Sequence, residues 1–242
     1  MFKLNLNSFS KLFSLVYIFF YLISAKNAIS ENFQHEILVN LENNLNKRNI
    51  DFINKIFEND NEKMIRKYNK LINEFPNATW KIKNLSTQDN NTNIFNIKVT
   101  GSKYINEKNY VLESSFNFVF SFENGKFNNP IIKNNLTTIR NDNKAIDIDI
   151  LIPDKVLTGS NYDIDIIINN PLNGSIIAGT INEYQESNIL KKEINLIPLA
   201  SGGIFKMTRA PSKPGTQIWS GFIAHPKGLI SFTKSVDILK EF

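Results

Sequence analysis

Asp147, Asp149, Asp163 and Asp165 are the first residues whose type and spacing could do chemistry, because four carboxylates brought together would hold a divalent cation. They alternate with Ile146, Ile148, Ile164 and Ile166, so on strands they line outward faces and do not cluster in one glycine-bearing turn. The two histidines carry no stronger signal. His35 stands at the start of a helical pattern and His225 precedes Pro226 in a turn, with no metal-ligand spacing around either. Cysteine is absent, which removes disulfides, thiolate metal sites and thiol nucleophiles together. Ser201-Gly202-Gly203 lacks the strand–helix setting of a phosphate loop. No metal and no cofactor is expected. What remains is aromatic. Tyr68 and Tyr104 are phenols that could move a proton, and Trp80, Phe95, Phe116 and Phe118 are rings that could line an apolar ligand site. Trp80 and Trp219 both fall among apolar neighbours in predicted strands, where core packing is the competing role.

Composition narrows the partners. The 242 residues are 42% hydrophobic, enough for one large or two ordinary cores. The charge of +5 comes from 28 basic and 23 acidic residues, with the lysines scattered among acids and asparagines. No basic run of the kind that tracks a phosphate backbone is present, so nucleic-acid binding is disfavoured. The first 25 residues have the layout of an export signal. Lys3 and Lys11 precede an apolar run from Leu12 to Ile23, and Ser24-Ala25 supplies the small-residue exit. That run is shorter than the about 20 residues a helix needs to cross a bilayer. A periplasmic or secreted location follows, or an inner-membrane anchor where the segment stays uncleaved.

The elements that must position the aromatic residues begin with helices. Ile37, Leu38, Leu41 and Leu45 share one helical face, as do Ile50, Ile53, Ile56 and Phe57. Asn61 is a candidate N-cap for a helix bearing Ile65, Tyr68, Leu71, Ile72 and Phe75 on one stripe, stopped by Pro76. Alternating strands follow around Trp80 and Ile82, around Phe95, Ile97 and Val99, and from Tyr110 to Phe122. On the last, Tyr110, Leu112, Ser114, Phe116, Phe118, Phe120 and Phe122 share the inward face and Glu113 points away. A bulge at Gly101 would reverse that parity and re-aim Lys103 or Tyr104. Asn124-Gly125 predicts a hairpin turn into a strand over 131–139.

Glu62-Lys63-Met64-Ile65-Arg66-Lys67-Tyr68, Leu71-Ile72-Asn73-Glu74-Phe75-Pro76-Asn77 and Trp80-Lys81-Ile82 resemble the second helix and first strand of SnoaL-like members of the nuclear transport factor 2-like superfamily. Phe120-Ser121-Phe122-Glu123-Asn124-Gly125-Lys126 is similar to their hairpin, and Arg48-Asn49-Ile50-Asp51 to the break between their first helices. The resemblance implies an α+β cone over residues 31–141 with a pocket between helices and curved sheet. Related enzymes place Asp, His or Tyr on the concave face; here that face reads as aromatic and aliphatic.

After the polar stretch 140–144, seven short alternating runs divided by Gly, Pro and Asn turns predict an all-β, seven-stranded sandwich over 144–242. Ile152-Pro153-Asp154-Lys155-Val156-Leu157-Thr158-Gly159 and Pro211-Ser212-Lys213-Pro214-Gly215-Thr216-Gln217-Ile218-Trp219 look like strand entries of bacterial immunoglobulin-like domains. The combined expectation is a non-enzymatic exported envelope protein that binds a partner protein or a small apolar ligand through Tyr68, Trp80, Phe95, Tyr104, Phe116 and Phe118. A SnoaL-like enzyme using Tyr68 or Tyr104 on a small hydrophobic substrate is the alternative. A scaffold, with homo-oligomers formed through the N-terminal sheet, is the third reading.

Overall fold

Side chains at a three- and four-residue spacing bury one stripe of the first helix, α1, described over residues 35–46: Ile37 and Leu38 are half-buried, and Leu41 and Leu45 are fully so. In the computed structural model, residues 35–56, 62–85, 93–123, 126–141, 146–169, 174, 176–184, 195–199, 202–226 and 228–241 are described. The export segment, the Asn61 cap, the Asn124-Gly125 turn, Ser201 and most of the strand expected around 189–197 lie outside them. Arg48, at φ 56°, breaks the chain after α1. Asn49 then caps α2 (Ile50–Ile56), its Oδ1 accepting the Phe52 N–H at 3.1 Å. Helix α3 (Glu62–Glu74) buries Tyr68 and hands over to the buried Phe75 just before Pro76.

Four antiparallel strands follow: β1 (Thr79–Leu85), β2 (Asn93–Ile105), β3 (Lys108–Glu123) and β4 (Lys126–Asn141). The β2–β3 hairpin turns on Asn106 and Glu107, both at positive φ as a two-residue turn matching strand twist requires. At the outer edge of the sheet, β1 offers unpaired backbone groups, and α1 occupies them. Asn46 accepts the Trp80 N–H at 2.8 Å and donates to the Trp80 carbonyl at 2.9 Å, while Glu42 accepts the Ile82 N–H at 2.7 Å. One helix turn of side chains thus stands in for a neighbouring strand.

The second half supplies β5 (Ile148–Leu151), β6 (Lys155–Leu157), β7 (Asn161–Ile168), β8 (Ala178–Glu183), β9 (Ile197–Pro198), β10 (Gly203–Arg209), β11 (Gly215–His225) and β12 (Gly228–Leu239). Strands β10, β7 and β5 make a three-stranded sheet. The others join the first half in one nine-stranded sheet of order β1-β2-β3-β4-β12-β11-β8-β9, with β6 parallel to β12. The joint is β12. Its inner edge pairs with β4 from Ile230↔Arg140 to Lys234↔Leu136, then with β6 from Asp237↔Lys155 to Leu239↔Leu157.

The expected α+β module followed by a separate sandwich is therefore overturned, and with it the resemblance to a SnoaL-like nuclear transport factor 2-like domain and to an immunoglobulin-like domain. A cone needs a sheet that ends with its own module. Here β4 offers its far edge to β12, so the chain is predominantly β, with three short helices among the described residues. The two hydrophobic cores lie on opposite faces of that shared sheet. The helices cover the face carrying Ile97, Phe116 and Thr137, the face to which Ser235 also belongs. The three-stranded sheet covers the other, where Trp219, Ile223, Phe232 and Val236 are buried against Ile164 and Ile166.

Two glycines mark close approaches. A Cβ at Gly221 would come within 2.1 Å of the Phe232 ring, which lies across its backbone from the paired strand. Gly101 carries no bulge, since the β2–β3 register runs through it unbroken; a Cβ there would sit 3.2 Å from the Ala78 backbone. The bulges are on β4, opposite Phe116 and Phe120, where Asn134 (φ 51°) and Asn129 (φ 49°) take left-handed conformations.

Candidate functional site

Three helices and six strands leave a cavity of about 300 Å³ between them. Leu41 and Leu45 of α1, Ile53 of α2, and Ile65 and Leu71 of α3 form the helical wall. Ile97, Phe116 and Phe118 form the opposite one, with Trp80 and Tyr68 at the α3–β1 end. The third wall comes from β4, β11 and β12, through Ile132, Ile218 and Ser235 among others. Thr216, on the same wall, is exposed, so the cavity meets solvent there.

The polar groups lie along the β3–β4–β12 side. Thr137 donates to Asn135 Oδ1 at 3.1 Å, so its bond with Ser114 at 2.7 Å has Ser114 donating. Asn135 in turn gives its backbone N–H to Ser235 Oγ at 2.8 Å, across 100 residues of sequence. The bulge at Asn134 is what brings Asn135 and Thr137 inward: Ile132 faces the cavity before it, and the odd-numbered residues face it afterwards. Regular alternation from Ile132 would have turned them away, and the Asn134-Asn135 pair was the available signal, since asparagine tolerates the left-handed region.

Tyr68 is the one titratable side chain lining the cavity among the described residues. Its hydroxyl donates to the Leu45 carbonyl at 3.0 Å, tying α3 to the last turn of α1. Burial pushes the phenol above its ordinary pKa, only partly offset by the charge of Arg48. It is a neutral donor already committed to a backbone acceptor. Its ring stacks at a tilt on Trp80, 5.5 Å between centroids.

Of the six residues expected to form the site, Tyr68, Trp80, Phe116 and Phe118 line one space. Phe95 is placed elsewhere. It is fully buried in a phenylalanine cluster, edge-on to Phe120 at 4.8 Å, and Phe120 meets Phe127 at 4.5 Å. Tyr104 is 76% exposed, one residue before the end of β2, and can touch no ligand in the cavity. Trp219 belongs to the second core: its indole N–H donates to Tyr162 at 2.8 Å, and Tyr162 donates to Gln217 at 2.6 Å. Asp163 and Asp165 sit opposite Met207 and Phe205, while Asn169 bonds Asp149 at 3.1 Å. No set of three or more His, Asp or Glu side chains converges among the described residues.

Sequence reasoning also missed Asp237. It pairs with the exposed Thr216 at the cavity mouth and shares its sheet face, yet is buried with Oδ2 unbonded. Burial raises its pKa, against the charges of Lys133, Lys155 and Lys234, while Asp154 pushes the same way as burial. The folded state therefore holds this proton more tightly than the unfolded chain does. Asp237's own contribution to stability is fully present below the ordinary aspartate value of 3.8 and is lost as pH rises through the raised folded value. Asp237→Asn should raise Tm at pH 7 by roughly 2–6 °C and leave it unchanged near pH 3, as read by thermal melts at both pH values.

No helix among the described residues is long and apolar enough to cross a membrane. Residues 143–239 match a family described as a domain of unknown function (DUF8623). No curated protein matches the chain. The matched stretch contributes Thr216, Ile218 and Ser235 to the cavity, and residues before it contribute the rest.

Proposed function

We propose that this is an exported, non-catalytic binding protein that holds one small apolar molecule in the cavity between its helices and its nine-stranded sheet. The observation that carries the reading is the lining. A space of about 300 Å³, at the lower end of the range for ligand sites, is walled by aliphatic and aromatic side chains with a short run of hydroxyls and amides along one side. Chemistry on a substrate would need a proton acceptor or nucleophile in reach, and the titratable lining residue, Tyr68, is neutral and hydrogen-bonded to backbone. Export rests on the layout of residues 1–25, which supports a periplasmic or secreted location.

N-phenyl-1-naphthylamine, a neutral apolar fluorophore, tests the reading. Saturable binding at one site per chain, with energy transfer from Trp80, is the expected result. Leu71→Trp, which fills the cavity from α3, should abolish that binding while the thermal melt stays cooperative. Non-saturating uptake, or uptake equal in the filled variant, would remove the cavity from consideration as the site.

A further inference from the structure

We infer that the free edge of β10 is a docking site for a partner protein, which adds an extended strand there and lays lysine or arginine side chains over the outer face of the three-stranded sheet. The surface is separate from the cavity, with the second core and the shared sheet between them. The edge follows from hydrogen-bond parity. At the two ends of the β10–β7 pairing, the Ile168 N–H donates to the Gly202 carbonyl at 2.9 Å and the Ala210 N–H to the Ser160 carbonyl at 2.8 Å. Bonded pairs alternate in an antiparallel ladder, so the even-numbered residues of β10 bond to β7. Phe205 and Met207 therefore turn their N–H and C=O groups away from β7, and no other strand among the described residues pairs with β10. Phe205, Lys206 and Met207 are exposed in succession, which opens both faces of the strand as well as its edge. Edges of this kind are ordinarily guarded by a proline, a bulge or an outward lysine. Strand β10 has no proline and an unbroken register, and its lysine, Lys206, lies over the Trp219 ring at 4.8 Å.

The face beside the edge sets the chemistry of the partner. Phe205 is 56% exposed and Met207 70%, and they stand directly opposite Asp165 and Asp163 of β7 on the outward face. Asp163 and Asp165 make no ion pair among the described residues. Arg209, the basic residue of β10 on this face, is turned to the Gly159 carbonyl, its Nε donating at 2.9 Å. Apolar side chains thus line the edge, and uncompensated carboxylates stand one strand further in. An added strand sets alternate side chains over Phe205 and Met207, with its axis about 10 Å from β7, two strand spacings away. Long cationic side chains meet both demands, because their methylenes cover the exposed ring and thioether while their charged ends reach Asp163 and Asp165. An acidic strand would be repelled. A second copy of this chain would double the carboxylates on the face and add no lysine to them, so charge complementarity selects a basic partner as the occupant.

The probe is an end-blocked heptapeptide of alternating lysine and valine, titrated into the full chain and followed in ¹H–¹⁵N spectra. Saturable binding is expected, with the amide hydrogens of Phe205 and Met207 gaining protection from exchange and the affinity falling as salt is added. The same peptide with glutamate in place of lysine should bind about tenfold more weakly or worse. The double variant Asp163→Asn, Asp165→Asn should lower the affinity for the lysine peptide about fivefold and leave the glutamate peptide no weaker. Met207→Pro removes an edge N–H without touching a bond to β7, so it should abolish binding while the thermal melt stays in place. No saturable binding, equal binding of the two peptides, or binding that survives Met207→Pro overturns the inference. A dimer in sedimentation equilibrium that Met207→Pro dissolves would put a second copy on the edge and overturn it as well. Should Met207→Pro not fold, exchange in the wild-type protein still decides: Phe205 and Met207 must slow when the lysine peptide is added, and unchanged rates there sink the proposal.

Discussion

Phe118→Ala should cost about 3–5 kcal/mol of stability, the range for removing a buried ring. For a chain of this length that is a fall in Tm of roughly 10 °C or more by calorimetry. Phe118 is 1% exposed and has two roles at once. It walls the cavity, and it holds the phenylalanine cluster together, tilted on Phe120 at 5.0 Å and edge-on to Phe127 at 5.4 Å. Loss of the ring joins the space it leaves to the cavity already present, and surrounding strands cannot close on it without breaking the β3 register. The binding consequence is opposite in sign to the stability one. The enlarged cavity should admit bulkier fluorophores than the wild type, with apparent Tm rising as they saturate it.

Thr138→Pro should be at least as damaging, about 3 kcal/mol or more, through backbone alone. Over residues 136–140, β4 is paired on both edges, with β3 at Thr138↔Glu113 and with β12 at Thr138↔Phe232. Whichever way the N–H at 138 points, its removal deletes a ladder bond between two paired neighbours, whereas the strand's own Pro130 falls at a bulge outside the β12 pairing, where proline is tolerated. Because β12 forms both the wall with Ser235 and the face that buries Phe232, the damage should reach both cores together. One cooperative unfolding transition at lower temperature is the expected melt. Two separated transitions would mean that the halves fold independently and that the β4–β12 seam contributes little.

The local content of this architecture was legible because it is written in periodicity. The stripe Leu41, Leu45, Ile53, Tyr68 and the alternation along β3 follow from burial of one face, and that force is read directly from residue type. Neighbours are another matter. Alternation in β4 and β12 says which side of a strand is apolar but not which strand lies beside it, so the pairing of Leu136 with Lys234 left no trace, and two modules in series were expected where one sheet joins them. Parity failed at a definite place, where Asn134 adds a residue to β4 and turns Asn135 and Thr137 into the cavity. Phe95 and Phe116 are alike in type and phase, and only the lateral position in the sheet puts one in a packed cluster and the other on the cavity wall. Tyr104 is even-numbered on β2, whose odd residues Phe95, Ile97 and Val99 are buried under the helices, so it stands on the opposite face of the strand and is exposed, while its neighbour Lys103 reaches Glu74 of α3.

Asn135 and Ser235, bonded across 100 residues, set an order of events for a chain that emerges from its N-terminal end. The helices and β1 to β4 can collapse as soon as they are clear, since their contacts are close in sequence. The far edge of β4 must then wait, hydrogen-bonding groups open, until β12 arrives to cover it. During that interval the nascent protein carries an unfinished receptor with an adhesive margin, and ligand capture can begin only once the closing strand has docked.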